Sequence, residues 1–291
     1  NVTVPSSIAG VMIPPSHNMI LYALAAGGGV SISALFLAGI VPGILMCVSL
    51  GIAAYWIAVK RGYPSKPFPG LRTLVLSAVS ALPGFLTAVI IIGGVLSGVF
   101  TVTESAAMGA LWALLVTVLI YRTLTWDAFK KCLSQASRTT ALVMILVGAA
   151  TAFAYFLALY EVPAIIKDAL LTVSENPYVI LLLINIALLC LGMFMDMAAL
   201  ILICTPIFLP VVRELGMDPI QFGMVLMMNL GLGLTTPPVG ACLFVGCAVA
   251  KVRMEYVLKT IWPFYLAILV ALVLTTYIPA ISLTLPTMFG V

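Results

Sequence analysis

Two proline pairs interrupt apolar stretches of this sequence, and each follows a glycine at the same spacing. Gly10 lies four residues before Pro14-Pro15, and Gly233 lies four residues before Pro237-Pro238. A proline pair ends a helix, while glycine lets an ion or another backbone approach closely. An interrupted helix leaves carbonyl and N–H groups unpaired, and inside a membrane these are tolerated only where they line a polar cavity or bind an ion. The carbonyl ends suit a hard cation such as Na+, and the N-terminal ends suit a carboxylate.

Asp196 is the one acidic residue well inside an apolar stretch. An ionisable group at that depth costs about 2.5 to 3.5 kcal/mol on insertion scales, so it requires a partner or a wet surface. Contact with a ligand or an ion is the favoured interpretation, and a helix cap at the tip of a hairpin is the alternative. Thr235 and Thr236, beside Gly233, offer oxygen atoms to a cation, although each hydroxyl can instead bond to the backbone of its own helix.

Ser16, His17 and Asn18 form a polar triplet just past the first proline pair, where we predict a cavity. His17, the only histidine, is either a structural residue or a group that titrates near neutral pH and takes part in proton coupling. Asn185 and Asn229 lie in apolar helices, where hydrogen bonding between helices is the default role.

The composition places these residues in a membrane protein. Of the 291 residues, 64% are hydrophobic and 8% are charged, and the mean hydropathy is +1.27. Long apolar runs predict a polytopic α-helical bundle, because backbone groups in lipid must be satisfied within each helix. The net charge of +4 is spread over short loops, so we do not expect a nucleic acid partner. Six cysteines without a CxxC pair are typical of isolated core thiols rather than of zinc or redox sites.

Five apolar runs are each long enough to cross the membrane. They are residues 33–59, 74–99, 104–121, 139–160 and 260–284. Residues 178–213 contain two shorter apolar pieces, Tyr178–Leu191 and Met197–Val212, which predict a re-entrant hairpin. Residues 220–250 are interrupted by glycines and by the second proline pair, which predicts a discontinuous helix.

Positively charged loops orient these elements, because Lys and Arg are enriched on the cytoplasmic side. Three loops qualify, and they hold Lys60, Arg61, Lys66 and Arg72; Arg122, Lys130, Lys131 and Arg138; and Lys251, Arg253 and Lys259. The segment from Tyr160 to Asn176 is net acidic and is predicted to lie outside, on the side from which the hairpin enters. Residues 124–136 are amphipathic, and they either lie flat at the cytoplasmic interface or form a solvated loop helix.

The two proline pairs belong to an inverted repeat. Pro14-Pro15 leads to Ile40-Val41-Pro42, and Pro237-Pro238 leads to Ile261-Trp262-Pro263. With the orientation above, the helix after the first pair runs outward and the helix after the second runs inward. Paired broken helices in an inverted repeat are the signature of secondary transporters, which hold ligand and ions near the midplane. An intramembrane enzyme is disfavoured, since the sequence has one histidine and neither an HExxH nor a GxSxG motif.

Several motifs in this order resemble the large membrane subunit of tripartite ATP-independent periplasmic (TRAP) transporters. They are GVFTVTESAA at 98–107, MD at 195–196, TPIFLP at 205–210, GMDP at 216–219 and GLTTPPVG at 233–240, together with IPPS at 13–16 and FLAGIVPG at 36–43. The resemblance covers the full chain. It implies an all-α fold of the ion-transporter-superfamily type, with inverted repeats and an elevator mechanism, in the bacterial inner membrane.

The resemblance further implies Na+-driven import of a small organic anion without ATP. The substrate class is carboxylates, from C4-dicarboxylates to sugar acids such as sialic acid. A periplasmic binding protein delivers the substrate, a small membrane subunit completes the transporter, and membrane lipid surrounds it. By motif position, the resemblance places one Na+ site at Gly192, Gly233, Thr236 and Val239, a second Na+ site near Gly10 and Ile13, and substrate contacts at Ser16 and Asp196.

The predicted organisation has five parts. They are the end of the first transport repeat (1–32), scaffold helices with a cytoplasmic interfacial arm (33–138), a scaffold or connecting helix (139–177), the second transport repeat (178–250) and a C-terminal helix (251–291). Members of the resembled family begin with an earlier segment that holds a first re-entrant hairpin, whereas this sequence begins at Asn1, after that point. We therefore expect the sequence to be partial, with half of the first Na+ site outside it.

Two other functions are alternatives to this prediction. One is a stand-alone ion-coupled anion carrier of related fold, which would transport without a binding protein. The other is a purely structural assembly subunit, which would tolerate replacement of Asp196 or Thr236 without loss of uptake.

Overall fold

A computed structural model describes residues 2–63 and 69–290 of the chain. These residues form thirteen α-helices and no β-strand, which confirms the all-α prediction. The helices are α1 (Thr3–Met12), α2 (His17–Ala25), α3 (Ile32–Arg61), α4 (Leu71–Leu96), α5 (Val102–Leu115), α6 (Trp126–Leu159), α7 (Val162–Val173), α8 (Pro177–Gly192), α9 (Met197–Glu214), α10 (Pro219–Thr235), α11 (Ala241–Ala250), α12 (Met254–Tyr277) and α13 (Pro279–Met288). Within the described ranges, six helical stretches are long and apolar enough to cross a membrane, or up to eight if each bent pair counts as one span. Lys66, one of the charges used to orient the chain, lies outside the described residues.

Both proline pairs interrupt helices, as predicted. The first separates α1 from α2, whose axes differ by 53°, and the second separates α10 from α11. The peptide bond within each pair is cis. The predicted hairpin is also present, because α8 and α9 pack against each other and are joined by residues 193–196.

The last predicted span, residues 260–284, is wrong in its extent. α12 begins earlier, at Met254, and ends at Tyr277, and Ile278 is extended before α13 starts at Pro279. Proline starts a new helix readily, because its missing N–H would have no partner at that position.

Two other segments differ from the sequence-based reading. Residues 124–136 and the span at 139–160 were expected as separate pieces, but α6 runs unbroken through both from Trp126 to Leu159. The segment 160–176, for which the sequence predicted only a net acidic connection on the outside, contains the separate helix α7. Its signal was Val162, Ile165 and Ile166, which recur at helical spacing.

The chain divides into two units. The smaller, Gly62–Leu146, contains α4, α5 and the start of α6, and the larger contains all the remaining elements, including both broken helices and the hairpin. In the smaller unit α4 and α5 pack closely, since the Trp112 indole N–H donates to the Pro83 carbonyl at 3.0 Å. A capping box of Thr101 and Glu104 begins α5. The five-part organisation predicted from the sequence stays a prediction.

In the larger unit α10 is the central helix. Nearly all of its residues are buried, and it packs against α1, α3, α8, α9 and α12. A helix that is apolar all round is typically buried within a bundle, and α10 is such a helix. Its broken C-terminal end therefore lies inside protein rather than in lipid.

Candidate functional site

The second helix break sits where the hairpin tip meets α10. α10 cannot continue past Thr235, because Pro237 and Pro238 have no N–H to donate to carbonyls in the preceding turn. Thr236 is extended, and its N–H donates to the Gly233 carbonyl at 2.9 Å. α11 begins only at Ala241, so the carbonyl end of one helix and the N–H end of another face the same break.

Two glycines let the hairpin tip touch α10. A Cβ atom on Gly233 would lie 2.5 Å from the carbonyl carbon of Gly192 and 2.6 Å from its Cα. Just past this contact, the Val239 N–H donates to the Met193 carbonyl at 3.2 Å. The structure therefore brings together Gly192, Gly233, Thr236 and Val239, the four residues predicted for one Na+ site.

The carbonyls at the end of α10 differ in the hydrogen-bond donors that they receive. The Leu232 carbonyl accepts hydrogen bonds from the Thr235 hydroxyl at 2.8 Å and the Thr236 hydroxyl at 2.5 Å. The Thr235 carbonyl accepts one from the Tyr265 hydroxyl on α12. The Leu234 carbonyl receives no donor from the described residues, and Leu234 lines a cavity. The back-bonded arrangement of both threonines is thus the observed one, and a hydroxyl that donates its proton this way keeps lone pairs for a cation.

The first break lacks the equivalent contact among the described residues. Gly10 is exposed, and a Cβ atom on it would meet nothing within 4 Å. Ile13 packs its side chain against Gly43 of α3, where an added Cβ would lie 2.8 Å from the Ile13 Cγ1 atom. No second hairpin tip reaches Gly10 within the described ranges, so the Na+ site predicted there stays a prediction.

Ser16 and Asp196 occupy equivalent places at the N-termini of α2 and α9. The Asp196 carboxylate accepts a hydrogen bond from the Ala198 N–H at 3.0 Å and so caps α9. Ser16 precedes α2, and its buried hydroxyl has no partner among the described residues. The two N-termini are linked by Asn18, whose amide N–H donates to the Met197 sulfur at 3.4 Å.

A cavity of about 830 Å³ lies beside the second break. Its walls come from α1, α11 and α12, and Asp196 is the only charged residue among the described residues that line it. Ala241 and Cys242 also line it, and because Gly240 has no side chain to cap α11, the first N–H groups of that helix are available to an anion. Asp196 is therefore both a helix cap and a cavity residue, whereas Ser16 is buried away from this cavity.

One relevant residue, Tyr265, was not selected from the sequence, whereas three other polar residues of the helices were. Tyr265 carried no local signal, because a tyrosine in an apolar helix has the pattern of a packing residue. Asn185 and Asn229 were expected to bond between helices, and they do: the Asn229 amide donates to the Asn185 carbonyl oxygen at 2.5 Å, and the Asn185 amide donates to the Thr276 hydroxyl at 3.2 Å. His17 is exposed at the first position of α2, and both alternatives for it, a structural residue and a group in proton coupling, stay predictions.

Comparison with known proteins identifies relatives over nearly the whole chain. A family model described as the DctM component of the tripartite ATP-independent periplasmic transporter matches residues 1–281. The chain is 42% identical over 289 residues to the uncharacterized protein YgiK of Salmonella typhimurium. It is 39% identical over 287 residues to the sialic acid TRAP transporter large permease protein SiaM of Vibrio cholerae. It is also 39% identical over 281 residues to the C4-dicarboxylate TRAP transporter large permease protein DctM of Pseudomonas aeruginosa.

These matches cover most of this chain but not most of each relative. They include 99%, 99% and 97% of the chain, against 66%, 67% and 65% of the three relatives. The chain thus spans about two thirds of the length of the curated relatives it matches.

Proposed function

Because the chain belongs to the DctM component family of tripartite ATP-independent periplasmic transporters, we propose that it imports a small organic anion by Na+ coupling. Membership in this family confirms a multi-pass protein of the bacterial inner membrane and a transporter component rather than an enzyme. The contact between Gly192 at the hairpin tip and Gly233 at the helix break carries the Na+ proposal. In support, the Gly192 carbonyl oxygen lies 2.8 Å from where a Cβ atom on Gly233 would be, and carbonyl oxygens at helix C-terminal ends suit Na+.

The coupling ion is proposed to bind between the hairpin tip and the break. Gly192, Gly233, Thr236 and Val239 are the proposed ligands, supplied through main-chain carbonyls and the lone pairs of the Thr236 hydroxyl. Glycine at both close positions is required, since a side chain would keep the two backbones apart. A second Na+ ion is proposed near Gly10 and Ile13, where the repeat places the same glycine spacing.

The substrate is proposed to be a carboxylate held in the cavity beside the break. The uncapped N-terminus of α11 supplies N–H groups for the carboxylate. Ser16 at the N-terminus of α2 does not line this cavity, so the substrate contact predicted there stays a prediction. Asp196 carries the same charge as the substrate, so it suits a substrate hydroxyl or a shared Na+ ion. The substrates in the names of SiaM and DctM, sialic acid and C4-dicarboxylate, belong to this class.

The mechanism is proposed to be of the elevator type and to use no ATP. In support, the hairpin and both broken helices belong to one compact unit, as a body that carries its binding site through the membrane requires. The proposed partners are a small membrane subunit and a periplasmic binding protein, in line with the three-part organisation in the family's name.

Reconstitution of the intact transporter in liposomes tests this proposal. A thermal-shift screen of carboxylates against the cognate binding protein first identifies the substrate. Uptake of that carboxylate is then measured with an imposed inward Na+ gradient and with choline in place of Na+. Uptake that ignores the Na+ gradient would overturn Na+ coupling.

The same assay separates the two transport alternatives. Leaving out the binding protein is expected to abolish uptake. Undiminished uptake without it would favour a stand-alone carrier of related fold.

A further inference from the structure

The carbonyl of Thr235 is engaged by a hydroxyl that reaches across from another helix. Tyr265 lies on α12, two residues after Pro263, and its ring is 4% exposed. Its hydroxyl donates to the Thr235 carbonyl, the last carbonyl of α10. The Trp262 ring packs edge-on against the Tyr265 ring at 6.0 Å between centroids.

This hydrogen bond acts on the peptide unit that leads into the break. The peptide between Thr235 and Thr236 has no helical successor, because proline occupies the next positions. The last carbonyls of a helix have no partner within the helix, so a group from elsewhere must bond them. With the Thr235 carbonyl held by Tyr265, the following Thr236 N–H is directed at the Gly233 carbonyl and its hydroxyl at the Leu232 and Gly233 carbonyls.

The first repeat has no such donor at the matching position. Aligning the two proline pairs places Met12 opposite Thr235, and aligning Pro42 with Pro263 places Ile44 opposite Tyr265. Ile44 has no hydroxyl, and its side chain is exposed. At the first break the Met12 carbonyl instead lies against Gly39 of α3. The two breaks are therefore alike in their prolines and glycines but differ in how the last carbonyl is held.

We propose that Tyr265 is a positioning residue for the Na+ site at the second helix break: by holding the Thr235 carbonyl, it fixes the main chain of the break in the arrangement that meets Gly192. This inference rests on the proposed Na+ coupling and adds to it a side chain that touches neither ion nor substrate. It also assigns different rigidity to the two breaks, since among the described residues a side-chain donor from a neighbouring helix holds the last carbonyl only at the second.

Tyr265→Phe tests this role, with Tyr22→Phe as a matched control. The Tyr22 hydroxyl also donates to a backbone carbonyl on another helix, that of Pro219 at 2.6 Å, and Tyr22 is fully buried. Uptake by the intact reconstituted transporter is measured against Na+ concentration, with choline chloride holding ionic strength constant. The melting temperature of each purified variant is measured over the same Na+ series, as a readout of ion binding alone.

Tyr265→Phe is expected to raise the half-saturating Na+ concentration about fivefold, which is the change in affinity that the loss of one buried hydrogen bond usually causes. The KM for the carboxylate at saturating Na+ is expected to stay unchanged, and the Na+-dependent rise in melting temperature is expected to move to higher Na+. Tyr22→Phe is expected to move neither curve. A structural role alone would lower the melting temperature of both variants without shifting the Na+ dependence.

An unshifted Na+ dependence in Tyr265→Phe, or an equal shift in Tyr22→Phe, overturns the inference. Wild-type uptake that does not respond to Na+ overturns the proposed function and the inference together. Na+-dependent wild-type uptake with an unshifted Tyr265→Phe curve overturns only the inference.

Discussion

At the scale of single residues, the proposed Na+ site depends on glycines, which have no side chain, and on prolines, which have no N–H group. Gly192 and Gly233 have no side chains, so the hairpin tip and α10 approach at main-chain distance. Pro237 and Pro238 have no N–H, so the carbonyls before them are released from the helix. Asp196 is the exception, since its carboxylate both caps α9 and brings a charge to the cavity, and a single substitution can separate the cap from the charge.

Gly233→Ala is expected to raise the Na+ concentration for half-maximal uptake by about tenfold or more. The added methyl group would meet the Gly192 backbone, which cannot move aside as a flexible side chain would, and overpacking of this kind costs about 1–3 kcal/mol. Uptake against Na+ concentration is the measurement. Gly51→Ala in α3 is the control, because an added Cβ there meets nothing within 4 Å. Equal Na+ dependence in both variants would contradict the close contact.

Asp196→Asn is expected to reduce uptake by about tenfold or more while leaving the melting temperature unchanged. Asparagine caps a helix as well as aspartate does, so α9 keeps its cap and only the charge is lost. Uptake and thermal melting of the purified variant are compared with the wild type. Full uptake in this variant would show that Asp196 serves only as a helix cap.

At the scale of elements, a chain of buried polar side chains ties the hairpin to the core. Asn185 on α8, Asn229 on α10 and Thr276 on α12 form consecutive hydrogen bonds across three helices. In an apolar bundle such bonds specify which faces meet, because each group left unpaired would carry its full desolvation cost. The position of Gly192 against Gly233 thus depends on contacts further along α8 and α10.

Asn229→Ala is expected to destabilise the protein by about 0.6 to 1.7 kcal/mol, the range of hydrogen bonds between helices in membrane proteins. The substitution removes the donor to Asn185 and leaves the rest of the network in place. The melting temperature in detergent is the measurement. Ser80→Ala is the control, because the Ser80 hydroxyl is exposed and, among the described residues, bonds to the Ser77 carbonyl of its own helix. An unchanged melting temperature for Asn229→Ala would show that the network does not stabilise the bundle.

At the scale of the whole molecule, the cavity beside the second break is expected to open toward the cytoplasm. α11 lines the cavity and ends at the loop that holds Lys251 and Arg253, and the positive-inside rule places such a loop in the cytoplasm. Cys242 lines the same cavity. A thiol at this position therefore reports on which side of the membrane the cavity opens.

Cys242, kept as the single cysteine, is expected to react with a membrane-impermeant thiol reagent added from the cytoplasmic side. Na+ together with the transported carboxylate is expected to slow the reaction, because the ligand fills the cavity. A variant that keeps only Cys204, which is 1% exposed, is the unreactive control. Labelling of Cys242 only from the periplasmic side would contradict the assigned orientation.

The sequence alone determined the elements whose causes are local. The two helix breaks follow from proline pairs, the α-helical class follows from long apolar runs, and the cap at Asp196 was weighed as an alternative because aspartate favours that position. α7 was missed because its charges are typical of a solvated loop, and the end of α12 was missed because the apolar run continues past Tyr277. In both cases the local composition did not mark where the helix begins or ends.

Only the tertiary structure decided which of these elements meet. The contact between Gly192 and Gly233, the hydroxyl of Tyr265 on the Thr235 carbonyl and the link from Asn18 to Met197 join residues far apart in the chain. In an apolar helix most faces look alike in sequence, because lipid and protein neighbours favour the same side chains. Which face turns inward is set by packing over the whole bundle, and that information is not contained in any local pattern of residues.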